Sequence, residues 1–81
     1  MKAYILIQAE PGSDDRLARA AAGVPGVTRV ERVAGPYDVI VEADLRGVGA
    51  EAVPRIQRLD GVLRALTSTV VRGSEPEAPA A

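Results

Sequence analysis

The sequence predicts a single α+β domain with the element order βαββαβ, and three features point to it. The chain has 81 residues, which is enough for one core but not for two. Short apolar segments rich in β-branched residues alternate with two helical patterns. The segments 24–29 and 59–64 also have similar sequences, Val-Pro-Gly-Val-Thr-Arg and Leu-Asp-Gly-Val-Leu-Arg, at the two expected transitions from helix to strand.

The first strand is expected at residues 3–7, which are apolar or aromatic and are followed by a Glu-Pro-Gly turn. Ser13 is expected to cap the first helix, because Asp14 and Asp15 then lie in the first turn, where the helix dipole favours carboxylates. This helix is predicted to end near Gly23. Its apolar face is predicted to contain Leu17, Ala20, Ala21 and Val24.

The second and third strands are expected on either side of a turn at residues 35–38. Residues 27–34 alternate in polarity, with positions 27, 29, 31 and 33 on one side and 28, 30 and 32 on the other. This pattern predicts a half-exposed strand at the edge of the sheet. Residues 39–41 are continuously apolar, which predicts a central strand covered on both faces.

The second helix is expected to start with Asp44 as its cap. Pro54 lies inside the helical pattern, and proline removes a backbone hydrogen bond and clashes with the preceding turn. We therefore expect either a kink or a later start that places Pro54 in the first turn. The predicted apolar face contains Leu45, Val48, Ala52, Ile56 and Leu59. Residues 62–71 are rich in Val, Leu and Thr and predict the fourth strand.

Residues 1–72 thus predict a ferredoxin-like domain, an antiparallel four-stranded sheet with two helices on one face. Residues 73–81, rich in Glu, Pro and Ala, are expected to form a disordered tail. The first strand is apolar on both sides: Ala3, Ile5 and Ile7 on one, Tyr4 and Leu6 on the other. We therefore expect a second copy to cover the open face in a symmetric dimer packed sheet to sheet.

The composition argues against several classes of function. The chain contains no Cys and no His, which removes disulfides, thiolate chemistry and nucleophile–histidine pairs, so we expect neither an enzyme nor a metal or cofactor. The net charge is −1 and aromatic residues make up 2% of the chain, so direct nucleic-acid binding is not expected. Without a predicted targeting segment or membrane span, the expected location is the cytoplasm.

Four short motifs occur in a specific order. In chain order, Gly26-Val27 begins a strand and Gly35-Pro36-Tyr37-Asp38 precedes an apolar strand. Gly61-Val62 then begins the last strand, which also contains Thr67-Ser68-Thr69. In this order the sequence resembles the effector-binding domain, also called the RAM domain, of the Lrp/AsnC family of amino-acid-responsive transcriptional regulators. The resemblance covers nearly all of residues 1–72.

The resemblance implies dimers built through the sheets, rings of such dimers, and an amino-acid-like effector held at the junction between dimers. It implies that the effector contacts Gly35, Tyr37 and Asp38 of one dimer and Thr67 and Thr69 of another. Ala34 and Ala65 depart from the family, which often has hydroxyl residues at these positions. Family regulators carry a helix-turn-helix before this domain, whereas this sequence begins directly at the first strand. The expectation is therefore a stand-alone regulator of transcription or metabolism, which could act on a full-length regulator.

The residues also suit such a ligand on chemical grounds. A free amino acid presents an ammonium group and a carboxylate, so its pocket needs an anion for the first and donors for the second. Asp38 could bind the ammonium group. Backbone N–H groups around Gly35, where the missing side chain permits close approach, and the hydroxyls of Thr67 or Thr69 could bind the carboxylate.

Two alternative functions remain open at this stage. One is a cofactor-independent enzyme of the dimeric α+β barrel type, which would need an acid–base pair in a cleft between sheet and helices. Its candidate residues are Tyr4, Asp38 and Glu42, and without His their pKa values would have to be shifted strongly by burial. The other is a pure assembly module that joins the oligomer of a full-length regulator.

Overall fold

Four strands and two α-helices form the domain in a computed structural model that describes residues 1–74. In chain order the elements are β1 (Lys2–Ala9), α1 (Asp14–Ala22), β2 (Val27–Arg32), β3 (Val39–Asp44), a 3₁₀ helix (Gly47–Glu51), α2 (Ala52–Gln57) and β4 (Val62–Thr69). The strands form one antiparallel sheet in the order β2-β3-β1-β4. The predicted βαββαβ order and ferredoxin-like fold are therefore confirmed.

The core lies between the sheet and the helices. Side chains of a strand alternate between its two faces, and the odd-numbered residues of β1 and β3 face both helices. The largest fully buried side chains are Ile5, Ile7, Leu17, Val39, Val41 and Ile56. The other face of the sheet, which we call the open face, carries Tyr4 and Leu6 of β1 without a covering layer in the single chain. The prediction that β1 is apolar on both sides is confirmed.

The two strands between the helices occupy the predicted places in the sheet, with two corrections to β2. β2 lies at the edge of the sheet and β3 between β2 and β1. The simple alternation predicted for β2 is wrong, because the register shifts between Val27 and Arg29. This irregularity places Val27 and Val30, three positions apart, on the helix side. The strand also ends at Arg32 rather than at residue 34.

Helix α1 begins and ends where expected, but two details of the prediction are wrong. Ser13 is the residue before the helix, yet its side chain does not bond a backbone N–H group. Its hydroxyl instead accepts a hydrogen bond from Arg16 at 3.4 Å. Ala20 is exposed, whereas Leu17 and Ala21 are buried as expected.

The second helical segment is divided. Asp44 does not cap a helix: it ends β3, and its carboxylate accepts hydrogen bonds from the backbone and guanidinium of Arg46. The 3₁₀ helix follows, and Val48 within it is 80% exposed rather than on the apolar face. α2 begins at Ala52, so Pro54 occupies its first turn, where its missing N–H group would have no helical acceptor. Of the two alternatives for Pro54, the later start is confirmed.

The repeated segments fold in the same way. Gly26 and Gly61 have φ angles of 94° and 95°, a left-handed backbone region that side chains other than glycine rarely adopt. Each is followed by a strand whose first N–H group donates to a carbonyl two residues beyond the end of the preceding helix, from Val27 to Val24 and from Val62 to Leu59.

The chain leaves the sheet two residues earlier than expected. β4 ends at Thr69 rather than at residue 71, although the N–H group of Val70 still donates to the carbonyl of Lys2 at 2.7 Å. The expected tail of residues 73–81 lies mostly outside the described residues. Within the described part of the chain, no helix is long and apolar enough to cross a lipid bilayer.

Candidate functional site

The candidate site begins with the loop between β2 and β3, which we call the 34–37 loop. Its ends are joined by a hydrogen bond from the N–H group of Val33 to the carbonyl of Asp38, at 2.9 Å. Gly35 in this loop has a φ angle of 150°, and no other atom lies within 4 Å of the position that a Cβ atom would occupy. A small molecule could therefore approach the backbone at Gly35 closely.

The N–H groups of this loop are available to a ligand. Among the described residues, no backbone hydrogen bond uses the N–H groups of Ala34, Gly35 or Tyr37. Ala34 and Gly35 are exposed and Tyr37 is partly buried. The loop can thus offer backbone donors to an anionic group such as a carboxylate.

Asp38 is fixed beside this loop by the end of β1. Its N–H group donates to the carbonyl of Ile7 at 2.9 Å, and its Oδ2 atom accepts a hydrogen bond from the N–H group of Ala9 at 2.8 Å. The other carboxylate oxygen, Oδ1, makes no hydrogen bond within the described part of the chain. Asp38 therefore combines a fixed orientation with one oxygen that can accept from a ligand's ammonium group.

Thr67 and Thr69 lie on β4, opposite Ile5 and Ala3 of β1. Directly paired residues of antiparallel strands share a face, so both threonines are on the helix side of the sheet. Both are nevertheless exposed, because the helices do not cover this part of β4. Their hydroxyls are accessible to a ligand or to another protein.

The single chain does not bring the predicted site residues together. Asp38 contacts β1 at Ile7 from the β3 side, whereas the two threonines adjoin β1 from the β4 side and closer to its start. One complete strand separates the two groups. The structure thus joins Gly35, Tyr37 and Asp38 in one place, and Thr67 with Thr69 in another.

One residue near the loop was missed by sequence reasoning. The side-chain Nε2 atom of Gln8 donates to the carbonyl of Pro36 at 2.9 Å. The available indication in the sequence was that Gln8 is the single polar residue in the otherwise apolar stretch of residues 3–9. Its partner could not be inferred, because residues 8 and 36 meet only through the pairing of β1 with β3.

The open face is a shallow concavity of about 650 Å³. Its floor is apolar and contains Tyr4, Leu6 and Ile40. Its border is charged and contains Lys2, Arg29, Glu31 and Glu42. Lys2 and Glu42 form an ion pair at 3.0 Å, and Arg29 pairs with Glu31. The border therefore contains two cations and two anions.

The residues proposed for an acid–base pair do not converge. Tyr4 and Glu42 are directly opposite each other on the open face, not in a cleft between sheet and helices, and Asp38 lies at the other end of β3. The hydrogen bond from Lys2 lowers the pKa of Glu42 and raises that of Lys2. A general acid at neutral pH needs the opposite shift in a carboxyl group, so the geometry does not favour the enzyme alternative.

Comparisons with known proteins complete the description of the site. The family model of the Lrp/AsnC ligand binding domain matches residues 2–78. The solved structure of TTHA0845 from Thermus thermophilus is 28% identical with a TM-score of 0.80, over 93% of this chain and 98% of that chain. A search of curated protein sequences gave no match.

Two further solved structures are similar in fold at lower identity. The hypothetical protein PHS023 from Pyrococcus horikoshii is 19% identical with a TM-score of 0.73, over 88% of this chain and 90% of that chain. AsnC of E. coli is 14% identical with a TM-score of 0.74, over 95% of this chain but 54% of its own length.

Proposed function

Since the chain belongs to the Lrp/AsnC ligand binding domain family, we propose that it is a regulatory domain that binds an amino-acid-like effector at a site shared between copies. The observation that carries this proposal is the hydrogen bonding of the Asp38 carboxylate. One of its oxygens is held by Ala9 while the other is unbonded within the described residues, beside a loop with three unbonded N–H groups. An anion next to free donors matches the two charged ends of an amino acid.

The second half of the site comes from another dimer in this proposal. Thr67 and Thr69 are exposed hydroxyls on a face of the sheet that is otherwise buried by helices. They lie on the opposite side of β1 from Asp38 of the same chain, so they cannot contact a ligand that this Asp38 holds. A neighbouring dimer in a ring could bring its own Thr67 and Thr69 against the 34–37 loop, and effector binding would then stabilise the ring.

The dimer itself forms through the open face in this proposal. The apolar floor of that face is uncovered in the single chain, and its border contains equal numbers of cations and anions. A symmetric interface uses the same patch on both subunits, so a balanced border can meet its own copy without net repulsion. The same balance gives no attraction to a polyanion such as DNA.

We also propose that the domain works as a regulator in the cytoplasm and that it acts on a full-length Lrp/AsnC regulator. The support is the comparison of lengths. The T. thermophilus chain is matched over 98% of its length. E. coli AsnC, in contrast, is matched over about half of its length.

The test of effector binding uses Asp38→Asn. A panel of the twenty standard L-amino acids is first screened for a rise in melting temperature that grows with concentration, and the best is then titrated by calorimetry. Asn keeps an acceptor for the N–H group of Ala9 but loses the charge. Because a hydrogen bond to a charged group contributes about 1.5 to 3 kcal/mol, we expect affinity to fall by about tenfold or more with the fold intact.

Asp60→Asn is the matched control, because Asp60 is an exposed carboxylate whose ion pair with Arg16 spans 3.4 Å on the surface. It should bind as the wild type does. If the wild type binds no amino acid, or if Asp38→Asn binds as tightly as the wild type, the effector site is wrong. The pure assembly module would then be the better description of the domain.

A further inference from the structure

The 34–37 loop depends on its surroundings for its shape. Among the described residues, no backbone hydrogen bond joins two residues within the loop, and the bond between Val33 and Asp38 closes only its base. Pro36 fixes its own φ angle but contributes no N–H group. An isolated loop of this kind would sample several conformations, and each would orient its free N–H groups differently.

Gln8 supplies the contact that holds the tip of the loop. Its side-chain amide donates to the carbonyl of Pro36 at 2.9 Å, across 28 positions of sequence. Gln8 is an even-numbered residue of β1, so its side chain starts from the open face of the sheet. Gln8 is partly buried, and its hydrogen bond with Pro36 lies at the surface of the domain.

The next residue of β1 holds the other end of the loop. The N–H group of Ala9 donates to the Asp38 carboxylate, and the carbonyl of Ile7 accepts from the N–H group of Asp38. Three consecutive residues of β1 therefore bind the loop and the residue that follows it. Gln8 alone among them uses its side chain, so it can be replaced without removing a backbone group.

We propose that Gln8 is a positioning residue of the effector site, which fixes the Pro36 carbonyl so that the N–H groups of Gly35 and Tyr37 stay oriented toward a bound carboxylate. This inference rests on the proposed function. Preorganisation of this kind increases affinity because less conformational freedom is lost on binding. Gln8 itself does not contact the effector in this arrangement.

The test compares Gln8→Met with Gln57→Met. Methionine keeps the length of the side chain and removes the donor. Gln57 is exposed at the end of α2 and has no side-chain hydrogen bond within the described part of the chain, so its replacement controls for the chemical change. The first measurement needs no effector: backbone ¹⁵N order parameters of Gly35 and Tyr37 in deuterated protein. We expect them to fall from about 0.85 to below about 0.6 in Gln8→Met only.

The second measurement is calorimetric titration with the L-amino acid that gives the largest thermal shift on the wild type. We expect Gln8→Met to bind it about three- to tenfold more weakly, with oligomer mass and melting temperature as in Gln57→Met. Unchanged order parameters would overturn the positioning role, and so would unchanged affinity in a loosened loop. Failure of the proposed function gives a different result, in which the wild type itself binds none of the twenty amino acids.

Discussion

Asp38 has a structural role as well as a proposed binding role. Its N–H group, its carbonyl and its carboxylate each make one hydrogen bond, to Ile7, Val33 and Ala9. The bond from Ala9 lies where the register between β1 and β4 shifts, so the side chain satisfies a backbone donor at an irregular point of the sheet. The position therefore requires an acceptor for stability and a negative charge for the proposed ligand.

These two requirements can be separated by substitution. Asp38→Ala removes the acceptor of a partly buried N–H group, and we expect it to lower the free energy of unfolding by about 1 to 3 kcal/mol. Asp38→Asn keeps an acceptor and should lose less than about half of that amount. Urea denaturation followed by circular dichroism, at one fixed protein concentration, measures both. Equal stability of Asp38→Ala and wild type would show that the bond to Ala9 contributes nothing.

At the scale of elements, two glycines allow the 3₁₀ helix to pack against the start of β2. The N–H group of Asp44 donates to the carbonyl of Gly26 at 2.8 Å. A Cβ atom on Gly49 would lie 1.7 Å from the carbonyl oxygen of Asp44 and 3.1 Å from the Cα atom of Gly26. No side chain fits here without movement of backbone. This close contact packs the end of β3 against the turn at Gly26, which directly precedes β2.

Gly49→Ala should therefore be strongly destabilising. We expect a loss of at least about 3 kcal/mol in the free energy of unfolding, because the clash is with backbone atoms and not with a flexible side chain. Gly47→Ala is the control within the same 3₁₀ helix. Its φ angle of 54° disfavours alanine, but nothing lies near the added Cβ atom, so its loss should be about 1 to 2 kcal/mol. Chemical denaturation compares them, and equal losses would contradict the close-packing argument.

At the scale of the whole molecule, the two faces of the sheet differ in cover. Apart from the part of β4 that carries Thr67 and Thr69, the helix side is largely buried within the chain, whereas the open face leaves Tyr4 37% and Leu66 41% exposed. A domain of this size buries a smaller share of its surface than a larger one, so a second copy on the open face would add stability. The proposed dimer follows from this difference between the faces.

Leu66→Asp tests the dimer. It places a charge on the open face of β4, and two such charges would be desolvated in a symmetric interface. We expect the wild type to be at least dimeric at micromolar concentration by light scattering, and Leu66→Asp to have the mass of a monomer with its circular dichroism spectrum retained. Val48→Asp, which changes an apolar residue that is 80% exposed elsewhere, should leave the mass unchanged. A monomeric wild type would refute the sheet-to-sheet dimer.

Sequence alone determined the order of the elements, the two matching turns before β2 and β4, and the doubly apolar β1. Each depends on local information, namely periodicity, turn chemistry and residue shape. The family resemblance also followed from short motifs in order. These predictions agree with the structure because neighbouring residues are sufficient to specify them.

Only the tertiary structure decided where the candidate site residues stand. The contacts of Gln8 with Pro36 and of Ala9 with Asp38 join residues 28 and 29 positions apart, and they exist only in one register of β1 against β3. The shift in β2 reversed the side assigned to its later residues, since one extra residue changes the phase of a strand. The separation of Asp38 from Thr67 is likewise a product of strand order. Pairing between distant strands depends on the free energy of the whole sheet. Local sequence patterns do not specify this free energy.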